Sequence, residues 1–226
     1  MSTFLGFLLF AALAVVVVYA IHRESKRRRE ALAALAAQLG ASFEPGNDRD
    51  LPRSFRQFAF FERGKDRTAY NTLRGAMDVA EWRVEFTMGD YRYTVSQGDS
   101  ETTHKVSYAL VHLPFAAVPD LFVRREGLFD KLSGALGFDD IDFESDEFSS
   151  RYHVTSNDKR FAYAVIHPRM IEFLMDAEPP PIQLSAGSLL LTRDSEWDPD
   201  LFRAHLTWAR EFFSRWPDHE VARLRA

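Results

Sequence analysis

The stretch EWRVEFTM, residues 81–88, alternates strictly between polar and apolar side chains. This period of two is typical of a β-strand with one buried and one solvated face. Gly89 and Asp90 interrupt the alternation, which predicts a bulge or a tight bend at that point. The alternation returns at Tyr91 and, after a short loop at residues 97–100, over residues 106–110. Loops this short cannot hold crossover helices, so the sequence predicts an antiparallel meander.

Helical signals flank this meander on the C-terminal side. Asp198 and Pro199 open the clearest amphipathic helix of the chain, and Pro217 stops it. Further predicted elements are a helix at residues 127–136, strands at 41–44, 140–144 and 151–155, a helical turn at 51–58, a helix capped by Asn157 or Asp158, a helix from Pro168, and a hairpin at 182–193. The predicted fold class is α+β: an N-terminal transmembrane helix, then an antiparallel sheet with packed helices and a long C-terminal amphipathic helix.

The N-terminal segment at residues 3–21 carries no formal charge. As a helix it would be about 28 Å long, which matches a hydrocarbon core of about 30 Å. A buried helix of the body would normally show a polar stripe, and this segment has none. A cleaved secretory signal ending near Ala20 is the other alternative, but such signals have a basic start and a shorter apolar run. We expect a single transmembrane span.

The C-terminal flank of this segment is strongly basic. Five of the 28 basic and two of the 33 acidic side chains lie in residues 1–30, so the formal charge is +3 there and −8 in the remainder. Basic flanks stay on the cytoplasmic side, which predicts an inner-membrane protein with its N-terminus outside and its C-terminal domain cytoplasmic. The predicted membrane-interface residues are Tyr19, Arg23, Lys26, Arg27, Arg28 and Arg29. A stop-transfer flank with no further role explains the same residues.

Four segments follow from these patterns. Residues 1–22 form the predicted transmembrane anchor, residues 23–40 a basic helical neck, residues 41–220 a cytoplasmic α+β domain, and residues 221–226 a tail. The neck carries a stripe of Leu32, Leu35 and Leu39, with Gly40 as its C-terminal cap. Because the stripe covers barely two heptads, docking on the body explains it as well as a coiled coil does.

Several classes of function lack their usual signatures. The acidic body is a poor partner for phosphate backbones, so we expect no nucleic acid. The chain has no cysteine, and none of its seven histidines are paired at i, i+4. The acidic run at residues 139–147 fails as an EF-hand loop, because Ser145 stands where glycine is needed and Arg151 where glutamate is needed. With no Walker A, G-x-G-x-x-G or G-x-S-x-G motif either, we expect no metal or cofactor.

One polar constellation is a candidate ligand-binding site. Its residues are Arg151, Tyr152, His153 and Asp158, with Asp90, Arg92 and Tyr93 predicted to approach them across the sheet. Such a group could bind an anion or do acid–base work, because histidine titrates near neutral pH. A strand pair, a helix cap and surface ion pairs account for the same residues.

The segment at residues 143–170, FESDEFSSRYHVTSNDKRFAYAVIHPRM, resembles a group of uncharacterised bacterial proteins with one N-terminal span. The similarity extends to DYRY at residues 90–93 and to Tyr70, Asn71 and Gly75, and it covers most of residues 30–176. Ser149 stands where that group commonly has asparagine. The resemblance implies one cytoplasmic α+β domain and carries no activity.

The sequence therefore favours a membrane-anchored, non-enzymatic binding or assembly module on the cytoplasmic face. Its expected partners are the lipid bilayer and either another protein or a second copy of the chain. A domain that binds lipid or another small ligand is the alternative, motivated by 20 Phe, 7 Tyr and 4 Trp beside a membrane. A hydrolase centred on Arg151, His153 and Asp158 is the third hypothesis.

Overall fold

The computed structural model describes residues 2–115, 117–125, 140–177 and 180–225, and of residues 2–9 and 11 the helical backbone only. Within this part of the chain the fold is α+β, as predicted. The strands are β1 (Ser42–Glu44), β2 (Lys65–Val79), β3 (Trp82–Gln97), β4 (Ser100–His112), β5 (Leu121–Arg125), β6 (Tyr152–Ser156), β7 (Ile182–Ser185) and β8 (Ser188–Arg193). The helices are α1 (Ser2–Leu39), α2 (Leu51–Ser54), α3 (Asp146–Arg151), α4 (Lys159–Val165), α5 (Pro168–Ala177), α6 (Pro199–Ser214) and α7 (Asp218–Arg225), with a 3₁₀ turn at Ala59–Glu62.

The described strands form one antiparallel sheet in the order β1-β2-β3-β4-β8-β7-β5-β6. Strands β2, β3 and β4 are the predicted meander, joined by tight turns. Beyond β4 the spatial order departs from the chain order, because the hairpin of β7 and β8 inserts between β4 and β5. The sheet is therefore a meander extended by a long-range pairing.

The irregularity predicted at Gly89 and Asp90 lies on the neighbouring strand. Strand β3 pairs with β4 without a break through both residues, whereas β2 shifts its register between Tyr70 and Leu73. Asn71 in this bulge has a φ of +50°. A Cβ on Gly89 would lie 2.8 Å from the Asn71 carbonyl oxygen, so only glycine leaves room for the bulge.

Both faces of the sheet are covered at its centre. On one face, Leu32 and Leu35 of α1 and the apolar side of α6 pack with strand residues such as Phe86 into the main core. On the other face, Phe60 and Phe61 of the 3₁₀ turn pack against Tyr91 and Tyr108. Strands buried on both sides are held in one register, which fixes the positions of their polar side chains.

Local helix signals were reliable. The Asp158 carboxylate accepts from the Phe161 backbone N–H at 3.1 Å and caps α4, and Asp198 caps α6 in the same way at 2.7 Å. Pro168 is the first residue of α5. Gly40 ends α1 with a φ of +64°, the left-handed conformation that a helix C-terminus favours.

Three predictions differ from the structure or lie outside it. The proposed strand at residues 140–144 is reduced to an isolated bridge between Asp140 and Thr155. Most of the predicted tail at residues 221–226 belongs to α7, because Leu224 is buried in the core. The helix predicted at residues 127–136 lies outside the described residues.

Helix α1 is continuous from Ser2 to Leu39, about 57 Å at ~1.5 Å per residue. No helix in the described residues combines the length and the apolar character that crossing a membrane requires. The transmembrane span at residues 3–21 thus stays a prediction.

Candidate functional site

The N-terminal half of α1 exposes apolar side chains. The exposed fractions run from 47% for Val17 to 72% for Phe10. Across the described residues, every exposed large apolar side chain except Tyr163 belongs to this set: Phe10, Leu13, Val15, Val16, Val17, Val18, Tyr19 and Ile21. A contiguous exposed apolar surface of this kind marks a site of contact with a membrane or another protein.

The C-terminal half of α1 is fastened to the sheet by a buried ion pair. Arg28 donates from Nε to Asp90 Oδ2 at 2.7 Å and from Nη2 to Asp90 Oδ1 at 2.5 Å, a two-pronged contact. Asp90 is fully buried, while the Arg28 side chain keeps about a fifth of its surface in solvent. Burial opposes the charge of Arg28, but the hydrogen bond and the charge of Asp90 outweigh it and raise its pKa.

Two neutral side chains complete the shell around the Asp90 carboxylate. Asn71 donates from Nδ2 to Oδ2 at 2.8 Å, and Ser107 donates its hydroxyl to Oδ1 at 2.9 Å. Asn71 reaches this position because of the bulge in β2, and Ser107 is the cross-strand partner of Asp90 on β4. Each carboxylate oxygen thereby accepts two hydrogen bonds, which is what a buried charge needs.

The shell extends to the loop before α6. The Ser107 hydroxyl accepts from the Trp197 backbone N–H at 2.9 Å. Glu196 accepts from the Tyr70 hydroxyl at 3.2 Å and lies 3.7 Å from Arg28 Nε. Burial raises the pKa of Tyr70, so its hydroxyl stays a proton donor. Helix α1, strands β2 to β4 and the loop before α6 therefore meet at one polar joint.

The predicted membrane-interface residues divide into two groups. Tyr19, Arg23, Lys26, Arg27 and Arg29 are exposed. Arg28 is the exception, because its guanidinium is turned inward to Asp90 and is not free to contact lipid headgroups. The assignment of Arg28 to the interface is therefore corrected: it is a docking residue.

The predicted ligand-binding constellation is not assembled. Asp90 and Arg92 lie on β3, and four strands separate β3 from β6, which carries Tyr152 and His153. The four residues near β6 have separate partners: Arg151 with Glu147 at 2.8 Å, the Tyr152 hydroxyl with the Leu174 carbonyl at 3.0 Å, His153 with Asp140 at 3.0 Å, and Asp158 with the start of α4. This geometry gives the hydrolase hypothesis no support.

Arg92 lies on the same face of β3 as Asp90, two residues further along the strand. Its guanidinium lies 5.4 Å from the centre of the Tyr70 ring and donates to Asn47 Oδ1 at 3.2 Å. Its cross-strand partner is Lys105, which sequence reasoning missed along with Asn71 and Ser107. The alternation along residues 91–95 and 106–110 indicates that β3 and β4 are neighbouring strands. It does not reveal which residues of the two strands lie opposite each other.

Metal-binding geometry is not found in the described residues, where no three His, Asp or Glu side chains converge. His205, inside α6, stacks on Trp197 with ring centres 4.1 Å apart and contacts the Leu201 carbonyl through Nδ1 at 2.7 Å. Burial lowers its pKa. His205 is therefore a core histidine.

Comparison with known proteins gives one informative similarity. No protein-family model matches the chain, and no curated protein matches it significantly. The fold is similar to the crystal structure of the mycobacterial trehalose monomycolate transport factor A, TtfA, with a TM-score of 0.54 and 14% sequence identity. The similarity covers 86% of this chain and 97% of that chain. At this identity it establishes a shared fold.

Proposed function

We propose that this protein is a membrane-anchored, non-enzymatic binding or assembly module. Residues 3–21 cross the inner membrane once with the N-terminus outside, and the α+β body lies at the cytoplasmic face. The observation that carries the proposal is the apolar half of α1, where Phe10, Leu13, residues 15–19 and Ile21 expose between 47% and 72% of their surface. Burial of such a surface in lipid removes a large hydrophobic cost.

The charge pattern supports the direction of insertion. Arg23, Lys26, Arg27 and Arg29 are exposed on α1 directly after the apolar residues. Cations at this position remain on the cytoplasmic side and contribute about 1 kcal/mol each near an anionic surface. Tyr19 lies where interfacial aromatic residues are enriched.

The polar joint supports a role in binding or assembly. Arg28 follows Ile21 by seven residues, about 10 Å along the helix. A buried ion pair so close to the apolar segment fixes α1 to the body. In the proposed arrangement this contact keeps the body at one height and orientation relative to the bilayer. A body held this way presents one constant surface to a neighbouring protein or to a second copy of the chain.

Alkaline extraction of membranes from cells that make the full chain tests the anchor. We expect the wild-type protein to stay in the membrane pellet and the variant with both Leu13→Asp and Val16→Asp to be released, because each charge near the centre of a span costs about 3 kcal/mol. The control is Tyr163→Asp, which alters a large apolar side chain exposed on the body and should stay in the pellet. Release of the wild-type protein would overturn the proposal.

Orientation has its own measurement. Protease added outside spheroplasts should leave the body intact, and protease added after lysis should digest it. Digestion of the body from outside would reverse the proposed topology.

A second candidate function is binding of lipid or another small ligand by the body. The observation that favours it is the fold shared with a trehalose monomycolate transport factor. Native mass spectra of the full chain released from mild detergent test it. One lipid retained per chain would support this candidate, and a chain free of lipid at all detergent concentrations would remove it.

A further inference from the structure

Four cations of α1 point away from the body of the protein. Arg28 turns inward to the sheet, and successive residues of a helix lie about 100° apart around its axis. Arg27 and Arg29 therefore point about 100° from Arg28, one on either side. Arg23 and Lys26 lie still further round, about 140° and 160° from it. All four side chains are exposed, and we call this set of four residues the basic collar.

The basic collar places like charges next to one another. Arg23 and Arg27 are four residues apart on the helix, and Lys26 and Arg29 are three apart, so the two members of each pair are neighbours on its surface. Like charges at this spacing destabilise a helix. An anion held between the two members of a pair removes that repulsion.

The described residues offer the basic collar little compensation. Its three arginines make no side-chain hydrogen bond or ion pair within the described part of the chain. Lys26 lies 3.8 Å from Glu30, and both side chains are about two-thirds exposed, so solvent weakens this ion pair. Glu24 points only about 40° from Arg28, on the side of the body. The outward surface of the helix is therefore positive.

The basic collar follows the apolar half of α1 on the same continuous helix. From Ile21 to Arg23 is about 3 Å along the helix axis, and from Ile21 to Arg29 is about 12 Å. The headgroup layer on each side of the hydrocarbon core is roughly 5–8 Å deep, and long basic side chains extend toward it. This placement depends on α1 alone and needs no particular angle between α1 and the sheet.

We propose that the basic collar binds the phosphate groups of anionic phospholipids, an inference that rests on the proposed membrane anchor. The phosphate oxygens accept hydrogen bonds from neighbouring cations, and the cations offset the lipid charge. The formal charge is −5 overall and +3 in residues 1–30, so the remainder carries −8 and is repelled by an anionic surface. The basic collar offsets this repulsion where the body meets the membrane. Zwitterionic lipids bind less well, because their own cation competes for the phosphate.

Lipid titration of the full chain in mild detergent, read by native mass spectrometry, tests the basic collar. The probes are phosphatidylglycerol, phosphatidylcholine with the same acyl chains, and inorganic phosphate. We expect phosphatidylglycerol to bind best. Arg23→Gln and Arg27→Gln should each weaken its binding about fivefold, the equivalent of about 1 kcal/mol per cation. Glu30→Gln should strengthen its binding, because it removes the carboxylate that lies against Lys26.

A cation of the body provides the matched control. Arg210 is exposed on α6, so Arg210→Gln removes the same charge outside α1 and should bind phosphatidylglycerol like the wild-type chain. Equal weakening by Arg210→Gln, or no weakening by Arg23→Gln and Arg27→Gln, would overturn the site. Inorganic phosphate that binds as tightly as phosphatidylglycerol, with the same dependence on the two arginines, would overturn the lipid as its ligand.

Alkaline extraction of the same variants separates this inference from the anchor. Arg23→Gln and Arg27→Gln should both stay in the membrane pellet, because each leaves the apolar segment and four of the five basic residues beside it unchanged. A chain that stays in the pellet and shows no preference for phosphatidylglycerol would remove the site and leave the anchor. Release of the wild-type chain would overturn the anchor and, with it, this inference.

Discussion

The two halves of α1 form one continuous helix, but they differ in how far the rest of the protein covers their side chains. Phe10 and the apolar side chains of residues 12–21 are exposed, whereas Leu32 and Leu35 have about 1% of their surface in solvent. The docked half needs only a stripe of apolar residues, because the sheet covers one side of the helix. The exposed half is apolar on all sides, which suits an environment that surrounds the helix.

The change from one half to the other takes about two helical turns, between Ile21 and Arg28. Arg27, Arg28 and Arg29 are identical in chemistry, yet only Arg28 turns toward Asp90, because successive residues of a helix point about 100° apart. The same basic cluster thus serves two purposes. Its middle residue fixes the helix to the body, and its neighbours remain available to the surroundings.

The largest effect is expected from Arg28→Ala, which removes the ion pair that holds the C-terminal half of α1 to the sheet. The substitution leaves the Asp90 carboxylate fully buried with only Asn71 and Ser107 as partners, and an unpaired buried charge typically costs about 3–5 kcal/mol. Denaturant unfolding of the full chain in mild detergent measures the loss. Arg28→Lys should lose part of this amount, because lysine cannot reproduce the two-pronged contact.

The control for this prediction is Arg29→Ala. Arg29 is exposed, so its replacement should change the free energy of unfolding by less than about 0.5 kcal/mol. Equal losses for Arg28→Ala and Arg29→Ala would mean that the ion pair does not hold α1 to the sheet.

A pair of leucine substitutions compares the two halves directly. Leu35→Ala removes a side chain from the core and should lower the free energy of unfolding by about 2–4 kcal/mol. Leu13→Ala, the same change in the exposed half, should leave the unfolding of the body within about 0.5 kcal/mol of wild type. The same denaturant titration measures both variants, and a large effect of Leu13→Ala would contradict the separation into two halves.

Local patterns in the sequence predicted much of this fold. The alternation at residues 81–88, the cap at Asp198 and the hairpin at 182–193 depend on neighbouring residues, and the structure confirms each. Of the two predicted caps for α4, Asn157 or Asp158, the structure shows Asp158. The insertion of β7 and β8 next to β4 depends on packing between distant segments, and no local pattern contains it. Gly89 signalled an irregularity, but alternation alone cannot say which of two paired strands carries the bulge.

The sequence predicted only some residues of the polar joint. Asp90 and Arg92 were predicted only as members of a ligand-binding constellation around Arg151 and His153. Their real neighbours, Arg28 and Lys105, depend on the register of α1 and β4 against β3, and sequence spacing does not fix either register. The predicted partners near His153 are close to one another in the chain, but four strands separate them from β3.

The smallest effect we expect is a loss of folding stability in acid, on the side of the sheet where α1 docks. His205 stacks on Trp197, whose backbone N–H is held by Ser107 in the joint, and burial lowers the pKa of His205. Its Nε2 is buried without a partner, so a proton added there would have no acceptor. Below the ordinary histidine pKa of about 6.5 the unfolded chain binds this proton and the folded chain does not. Stability contributed by neutral His205 is therefore complete above that pH and is lost as the pH falls toward the lower pKa of the folded state.

His205→Phe measures this effect, because phenylalanine keeps a ring against Trp197 and cannot take up a proton. Unfolding at pH 7.5 and at pH 5 should show a smaller acid loss in the variant than in the wild-type chain, by less than either the Arg28 or the Leu35 substitution costs. Some acid loss will remain, since burial also lowers the pKa of His112. If the variant and the wild-type chain lose the same stability in acid, then protonation of His205 does not act on the docked half of α1.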